Sequence, residues 1–392
     1  MKWEEQQAAG DRAFKDGRYV EAAKEYNVAA QEAHGAGNEA QSVQSQISTG
    51  RAHDCYGQLT EAQKLLEKAL EAAGRISEDN ALYAEALLAV GNNLANRKEF
   101  DPAQETLRKA RELSGKLHGP NSTEVADAAH AVGRAYLMDG KHKEAESTLN
   151  QALGIRERLL GRDNTQYGES LAALGHLFLL TQNETLSEVM IRRALELQER
   201  LLGKDHPSLV GTLHTSASLL IHKGLFDKSI KEWNRAIKIA ETRLADTHPL
   251  LLTCLNGVGS AQMHAAQFKA GRESFQRSLT LAERNPKENS SEMIASLSGL
   301  GICLGLARDF KASEPYLERA KKMIKDEAQA NQPRLIDGLF ASYLFQGKFG
   351  QALHLVPDQM RAVNESYLTS YIDLLNKVTS LGERYAWTKE EK

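Results

Sequence analysis

The sequence is poor in the residues that build disulfide-linked or membrane-spanning proteins. Its 392 residues include three cysteines, eight prolines and 6% aromatic residues. Three widely separated cysteines without a Cys-x-x-Cys pair argue against a disulfide framework, so we expect a reducing, cytoplasmic compartment. No run approaches the roughly 18 apolar residues that a membrane-spanning helix needs. The N-terminal residues are polar from the start, which predicts no secretion signal.

An excess of charge of either sign is also lacking. The chain has 49 basic and 52 acidic residues, for a net charge of −3. A balanced charge does not favour nucleic acid or an anionic membrane surface, and we expect neither as a partner. Hydrophobic residues make up 41% of the chain and charged residues 26%. This composition is typical of a soluble, helix-rich protein, and the length favours an extended array over one compact core.

Motifs that carry chemistry are missing as well. The sequence has no Walker-type phosphate loop, no HExxH and no GxSxG, and the glycines of 299–305 lack the spacing and preceding strand of a dinucleotide loop. The histidines are scattered. A metal held by His130, His176 and His214 is the minor alternative to no metal. We therefore expect no enzymatic activity, no cofactor and no metal.

The chain does contain a repeat, and the repeat predicts its architecture. The segment GRYVEAAKEY, which begins at Gly17, has eight later counterparts, and we refer to the first residue of each segment as its landmark. Successive landmarks are 40, 41, then five times 42, and finally 39 residues apart. The landmarks are Gly17, Gly57, Lys98, Gly140, Gln182, Gly224, Ala266, Arg308 and Gly347.

Positions at a fixed distance from the landmarks hold similar residues. The position two residues after a landmark is usually aromatic or apolar, and the positions five and twelve residues after it are small. Seven residues before the landmark stand Gly10, Gly50, Gly91, Gly133, Gly175, Ala217, Gly259 and Gly301. Apolar residues recur at helical spacing between the landmarks, whereas the landmarks themselves resemble turns. Each unit is therefore predicted to be two antiparallel helices.

The glycines seven residues before the landmarks require an explanation, because a glycine inside a helix costs about 1 kcal/mol relative to alanine. We interpret them as places where the paired helix passes too close for a Cβ, with the small residues of the second helix as the matching contacts. The alternative is that these glycines mark loops. Stacking of such pairs would bury a continuous core and produce a curved superhelix.

With these features the sequence resembles the tetratricopeptide repeat family, and its 42-residue period is similar to the repeats of kinesin light chains. The strongest similarity lies in Ala194–Leu220 and Arg243–Gln262. The resemblance implies an all-α, superhelical solenoid of antiparallel helix pairs, with about nine repeats in residues 1–355. Motifs at Asp205-His206-Pro207 and Thr247-His248-Pro249 would then mark helix boundaries. A capping helix is predicted in residues 356–392, and a docking helix is the alternative.

The resemblance also implies which residues face a ligand, because the first helix of each pair lines the concave surface in this family. Asn92 and Arg134 follow the packing glycines directly, and we expect them to point into the groove. The predicted peptide-binding groove consists of Asn92, Arg134, His130, His176, His214, Asn256, Arg51, Glu85 and Asp127, and the implied inner surface also includes Glu169, Ser218, Ser260 and Met263.

We expect the chain to act as a scaffold or adaptor that binds a peptide or a segment of another protein in this groove. Mixed charges, amides and imidazoles can hydrogen-bond an extended or helical peptide. The alternative is a regulatory protein that senses a peptide and changes shape when it binds. Self-association through the exposed ends of the array stays open.

Overall fold

Every repeat reverses direction at its landmark, in a backbone conformation that favours glycine. All nine landmarks have a positive φ, between 58° and 99°. The Gly17 amide donates to Phe14 O and the Arg18 amide to Ala13 O, and the same pair of hydrogen bonds recurs at every landmark. This is the Schellman motif, which satisfies carbonyl groups that a helix end leaves open. The predicted turns are thus confirmed.

The structure is a computed structural model that describes residues 2–324 and 333–355. Within those ranges the chain forms eighteen helices and no strand, and consecutive helices pack as nine antiparallel pairs. The second helix of each pair begins two residues after its landmark. This confirms the all-α solenoid of helix pairs. The helices are α1 (Lys2–Lys15), α2 (Tyr19–Gly35), α3 (Glu39–Tyr56), α4 (Leu59–Ile76), α5 (Ala81–Asn96), α6 (Phe100–His118), α7 (Thr123–Met138), α8 (His142–Leu160), α9 (Thr165–Leu180), α10 (Glu184–Leu202), α11 (Leu209–His222), α12 (Phe226–Arg243), α13 (Pro249–His264), α14 (Phe268–Ala282), α15 (Ser290–Leu306), α16 (Phe310–Met323), α17 (Pro333–Phe345) and α18 (Phe349–His354).

The packing glycines lie inside helices, so the loop interpretation is wrong. A Cβ built on Gly133 would lie 2.7 Å from Leu149 Cγ, and one on Gly91 would lie 2.6 Å from Leu107 Cδ2. The partner residue follows its glycine by sixteen positions. The seven pairs are Gly10 and Tyr26, Gly50 and Leu66, Gly91 and Leu107, Gly133 and Leu149, Gly175 and Ile191, Gly259 and Phe275, and Gly301 and Leu317.

Bulky and small residues of the second helix both contact these glycines, and the prediction named only the small ones. A bulky side chain of the second helix fills the space above each glycine, because a Leu, Ile, Tyr or Phe buries more apolar area there than a small residue would. The predicted small residues contact the backbone carbonyl groups of the same glycines. Ser187 Oγ donates to Gly175 O over 2.8 Å, and Ser313 Oγ donates to Gly301 O over 2.7 Å.

The chain divides into two compact units, which we describe separately. Unit 1 comprises residues 1–251 and unit 2 residues 252–392. The core of unit 1 is a series of small clusters between neighbouring helices, such as Val43, Ile47 and Leu66. The described part of unit 2 has one core cluster that extends from Leu252 to Leu355. The predicted helix in residues 356–392 lies outside the described residues.

Two further observations concern membrane-spanning helices and disulfide bonds. In the described ranges, no helix combines the length and the apolar character that crossing a bilayer requires. The cysteines Cys55, Cys254 and Cys303 are free thiols.

Candidate ligand-binding inner face

Side chains from three helices of unit 1 that are not neighbours in sequence share one space. Burial raises the pKa of the Cys55 thiol to about 12, and the charges of Asp54, Arg51, Arg134 and Glu169 influence it further. These residues lie on α3, α7 and α9. Because charges on all three helices act on this one thiol, we infer that the helices face a common space. We refer to these five residues as the inner cluster, and to the surface of α3, α5, α7, α9 and α11 around it as the inner face.

Asp54 is the buried anchor of the inner cluster. Its two carboxylate oxygens accept hydrogen bonds from Asn93 Nδ2 and Asn96 Nδ2, each over 2.7 Å. Asn93 Nδ2 also donates to Leu59 O over 3.0 Å. Burial raises the pKa of Asp54, although these hydrogen bonds and the nearby arginines lower it. The carboxylate therefore joins α3 to α5 and stabilises one wall of the inner face.

Glu169 is exposed to solvent on α9. Neighbouring groups nevertheless remove part of its hydration, and this raises the pKa of the carboxyl. The positive charge of Arg156 lowers that pKa, and the negative charge of Asp127 raises it. Weaker lowering by Arg134 and Arg51 places Glu169 opposite α3 and α7.

Arg134 is the cation of the inner cluster that has no partner among the described residues. Its side chain is exposed, and no described group forms a hydrogen bond or an ion pair with it. Its charge lowers the pKa of Asp54 and Glu169 and also those of His130 and His176. It therefore lies centrally in the inner face with its five N–H donors available to a ligand.

Three other predicted groove residues are already paired. Arg51 Nη1 lies 3.2 Å from Glu85 Oε1, and both side chains are partly exposed. Asp127 Oδ1 accepts from Arg156 Nη2 over 2.7 Å. Arg156 is only 3% exposed and also donates to Gln166 O and Ser170 Oγ. Because Asp127 balances a buried charge, we assign it to holding α7 against α8 and α9.

The predicted histidines lie along the inner face. His176 and His214 are in contact edge to face, with ring centroids 5.7 Å apart, and His214 meets Trp233 in the same way at 5.1 Å. Burial lowers the pKa of His176 to about 4 and that of His214 to about 3. His130 is 9% exposed, and its pKa is lowered by burial first and then by two arginines. Nδ1 of His130 and of His214 has no hydrogen-bond partner in the described residues.

The two predicted asparagines differ in their surroundings. Asn92 is half-buried on α5 and makes no polar contact within the described part of the chain. Asn256 belongs to unit 2, where its Nδ2 donates to Glu292 O over 3.2 Å and its Oδ1 accepts from Ser296 Oγ over 2.8 Å. The amide of Asn256 therefore joins two helices of unit 2.

The sequence reasoning missed Asp54, Asn93 and Asn96, although the repeat contained a signal. Asp54 stands three residues before its landmark. The same position elsewhere is occupied by Phe14, Ala95, Leu137, Leu179, Ile221, Met263, Gly305 and Leu344. A single carboxylate in a column of apolar and small residues indicates a buried polar contact, because a charge is tolerated there only when it is hydrogen-bonded.

The chemistry of the inner face is that of hydrogen bonding and charge. In the described residues, no three His, Cys, Asp or Glu side chains lie close enough together to hold a metal ion. The unpaired guanidinium of Arg134, the acceptor Glu169 and the buried imidazoles can recognise polar groups of a peptide.

Comparison with known proteins identifies the repeat. Tetratricopeptide repeat family models match residues 82–158 and residues 169–208. These stretches include α7 and most of α5 and α9, but neither α3 nor α11. No curated protein matches the chain significantly in sequence. The expectation of tetratricopeptide repeats is confirmed.

Solved structures match the chain at low sequence identity, and the first of those described here shares its fold. A Rap protein, crystallised in complex with Competence and Sporulation Factor, is 12% identical, and the match covers 90% of this chain and 95% of that one with a TM-score of 0.58. A putative kinesin light chain with TPR-like repeats from Podosopora anserina is 17% identical, with 51% and 95% covered and a TM-score of 0.39. BtubC (BKLC) from P. vanneervenii is 16% identical, with 72% and 92% covered and a TM-score of 0.38.

Proposed function

The chain contains tetratricopeptide repeats, and on that premise we propose that it is a non-catalytic scaffold that holds a segment of another protein on the inner face of unit 1. The observation that carries this proposal is the unpaired Arg134 among the charges of α3, α7 and α9. An exposed guanidinium without a hydrogen-bond or ion-pair partner in the described residues is available for a carboxylate or a backbone carbonyl of a ligand.

The inner face supports this function through its mixture of groups. Arg134 and Glu169 offer one strong donor and one strong acceptor, and Asn92 offers an amide without another polar contact. A peptide presents N–H and C=O groups along its whole length, so it can use donors and acceptors at once. The three free thiols agree with a cytoplasmic location, which is part of the proposal.

A photo-crosslinking experiment tests this function. A benzophenone amino acid replaces Asn92, which loses no polar contact, and in a control chain it replaces Arg193 on the exposed side of α10. We expect the Asn92 position to capture a partner from the source lysate, and we expect Arg134→Ala to reduce that capture. The proposal fails if only the Arg193 position crosslinks, or if Arg134→Ala leaves the Asn92 crosslink unchanged.

A sensor of a signalling peptide is the second candidate function. Its specific support is a set of contacts between distant loops of unit 1, described below, which a ligand could release or strengthen. A sensor must change its dimensions on binding. Solution scattering with and without a saturating amount of the crosslinked partner segment tests this, and superimposable profiles would exclude it.

A further inference from the structure

Unit 1 closes on itself through two loops. The loop of residues 203–208, between α10 and α11, lies against the turn of residues 16–18, and the loop of residues 244–248, between α12 and α13, lies against the turn of residues 57–58. The first contact joins residues 191 positions apart in the chain. We refer to these two loops and two turns as the clasp.

His206 forms the first half of the clasp. Its Nδ1 accepts a hydrogen bond from the Ser208 amide over 3.2 Å, so the ring proton must be on Nε2. Nε2 lies 3.0 Å from Lys15 O, the last carbonyl of α1, and donates to it. One imidazole therefore holds the turn that precedes α11 and also reaches α1, five repeats away.

His248 repeats this arrangement in the second half of the clasp. Its Nδ1 accepts from the Leu250 amide over 3.0 Å, and its ring lies against Gly57. Beside it, the Ala245 amide donates to Tyr56 O over 3.0 Å. The end of α3 is thus tied to the loop before α13 by a backbone hydrogen bond and by the packing of the His248 ring.

Histidine replaces the asparagine or serine that stands at the equivalent position of earlier repeats. At 42-residue intervals, the side chains of Asn38, Asn80, Ser122 and Asn164 cap α3, α5, α7 and α9 by accepting from a backbone amide. His206 and His248 occupy the next two positions at the same interval. Asparagine or serine would suffice to accept a hydrogen bond from a backbone amide, whereas an imidazole adds a second nitrogen that can donate to another helix.

The turns that receive the loops are also closely fitted. A Cβ on Gly17 would lie 2.3 Å from Pro207 Cδ, and one on Gly57 would lie 2.6 Å from His248 Cδ2. At the landmark glycines Gly140 and Gly224, a Cβ would meet nothing within 4 Å. The four glycines share a left-handed backbone, so contact with the clasp loops is what distinguishes the first two.

The clasp adjoins the inner cluster. Gly57 follows Cys55 by two residues, and the pKa of Tyr19, raised first by burial, is also raised by the charges of Cys55 and Glu169. We propose that the clasp is the gate of the inner face, and that its release admits or frees a bound segment. This inference rests on the proposed function of the inner face. Contacts between loops open more readily than packed helices, which suits a gate.

The native thiol of Cys55 provides a test that needs no ligand. Cys55 is partly exposed beside the clasp, whereas Cys254 and Cys303 are buried. The rate at which Cys55 reacts is measured by peptide mass spectrometry, once with N-ethylmaleimide and once with a bulky polyethylene-glycol maleimide. The variants are Gly17→Ala and Gly57→Ala, which push against the clasp loops. Their matched controls are Gly140→Ala and Gly224→Ala, which share the left-handed strain without the contact.

We expect the bulky reagent to modify Cys55 at least roughly tenfold faster in the clasp variants than in their controls, because opening exposes the space behind the loops. The small reagent should show a lesser difference. The double variant His206→Ala/His248→Ala removes contacts of the clasp without adding bulk, so its Cys55 should also react faster than in the controls. It provides the test if Gly17→Ala and Gly57→Ala do not fold.

Equal rates for the bulky reagent in folded clasp variants, the double variant and the controls would overturn the gate. If the gate fails while the Asn92 crosslink still depends on Arg134, the scaffold function stands without it. If Cys55 becomes accessible as expected but no partner crosslinks at Asn92, the clasp is real and the proposed function of the inner face is wrong.

Discussion

Leu149 fills the space that a side chain on Gly133 would need, so a Cβ at position 133 does not fit without a shift of its neighbours. A Cβ on Gly133 would lie 2.7 Å from Leu149 Cγ and 3.2 Å from the Leu149 backbone nitrogen. The contact includes backbone as well as side chain, so rotation of the leucine cannot fully relieve it. The same relationship joins six other glycines to the residue sixteen positions later, which makes it the structural unit of the array.

Gly133→Ala is expected to lower the free energy of unfolding by about 1–3 kcal/mol, because overpacking a tight contact forces a shift of backbone or side chain. Gly154→Ala is the matched control, since Gly154 lies inside α8 and a Cβ there meets nothing within 4 Å. The control should gain up to about 1 kcal/mol from helix propensity. Chemical denaturation measures both. Equal effects of the two substitutions would contradict the packing role of Gly133.

Ala266→Gly is expected to stabilise the chain. Ala266 has a φ of 58°, a left-handed conformation that costs an L-residue roughly 1–2 kcal/mol. Glycine adopts it without that cost, although the unfolded chain gains entropy, so the net gain should be below about 1 kcal/mol. Gly140→Ala, at the same position of another repeat, should have the opposite sign. Thermal unfolding of both variants checks the prediction, and a loss of stability in Ala266→Gly would refute it.

Arg134 and Glu169 should affect ligand binding in opposite directions. Arg134→Ala removes the unpaired cation and should weaken binding of an anionic partner segment roughly tenfold, the loss of one charge-assisted hydrogen bond. Glu169→Gln removes a negative charge near it and should strengthen the same interaction. Calorimetric titration with the segment identified by crosslinking measures both. If Arg134→Ala leaves the affinity for the segment unchanged, Arg134 does not belong to the binding site.

Unit 1 should lose stability as the pH falls from 6.5 towards 4. Burial lowers the pKa of His176 and His248 to about 4 and that of His214 to about 3. The unfolded chain therefore takes up protons near pH 6.5 that the folded chain refuses, which favours unfolding. The raised pKa values of Asp54 and Glu169 act with the opposite sign and offset part of the loss.

The thermal midpoint measured across that pH range checks the prediction. His214→Phe keeps an aromatic ring against Trp233 and removes one titrating group, so its midpoint should depend less steeply on pH. The assignment of this pH dependence to buried histidines would be wrong if the wild-type thermal midpoint did not change with pH. It would also be wrong if the midpoint of His214→Phe depended on pH as steeply as that of the wild type.

Local features of this protein were predictable because they are repeated. The turn at Gly17, the helix that follows it from Tyr19 and the glycine before it at Gly10 each recur at a fixed distance from a landmark. Such features depend on residues within one helix pair, so their pattern in the sequence is sufficient to predict them. The small residues that contact the packing glycines were predicted, but the bulky residue that fills the space above each glycine was not, because the pattern shows spacing and not which side chain fills a space.

The candidate site was predictable only in part. Arg51, Arg134 and Glu169 follow from the position of inner-face residues in the repeat, and their charges all act on the Cys55 thiol. The amide of Asn256 is used between two helices of unit 2. Asp54 and Asn93 were missed, since the hydrogen bond between them depends on how two neighbouring repeats stack.

The amino-acid sequence by itself determined that this protein is an array of antiparallel helix pairs, because helix periodicity, turn residues and close packing act within a few tens of residues. Only the tertiary structure decided that Lys15 meets His206 and that Tyr56 meets Ala245. Those contacts depend on the small rotation between successive repeats, which accumulates over several stacked pairs. Because that rotation is the result of many packing contacts, the sequence of a single repeat does not determine it.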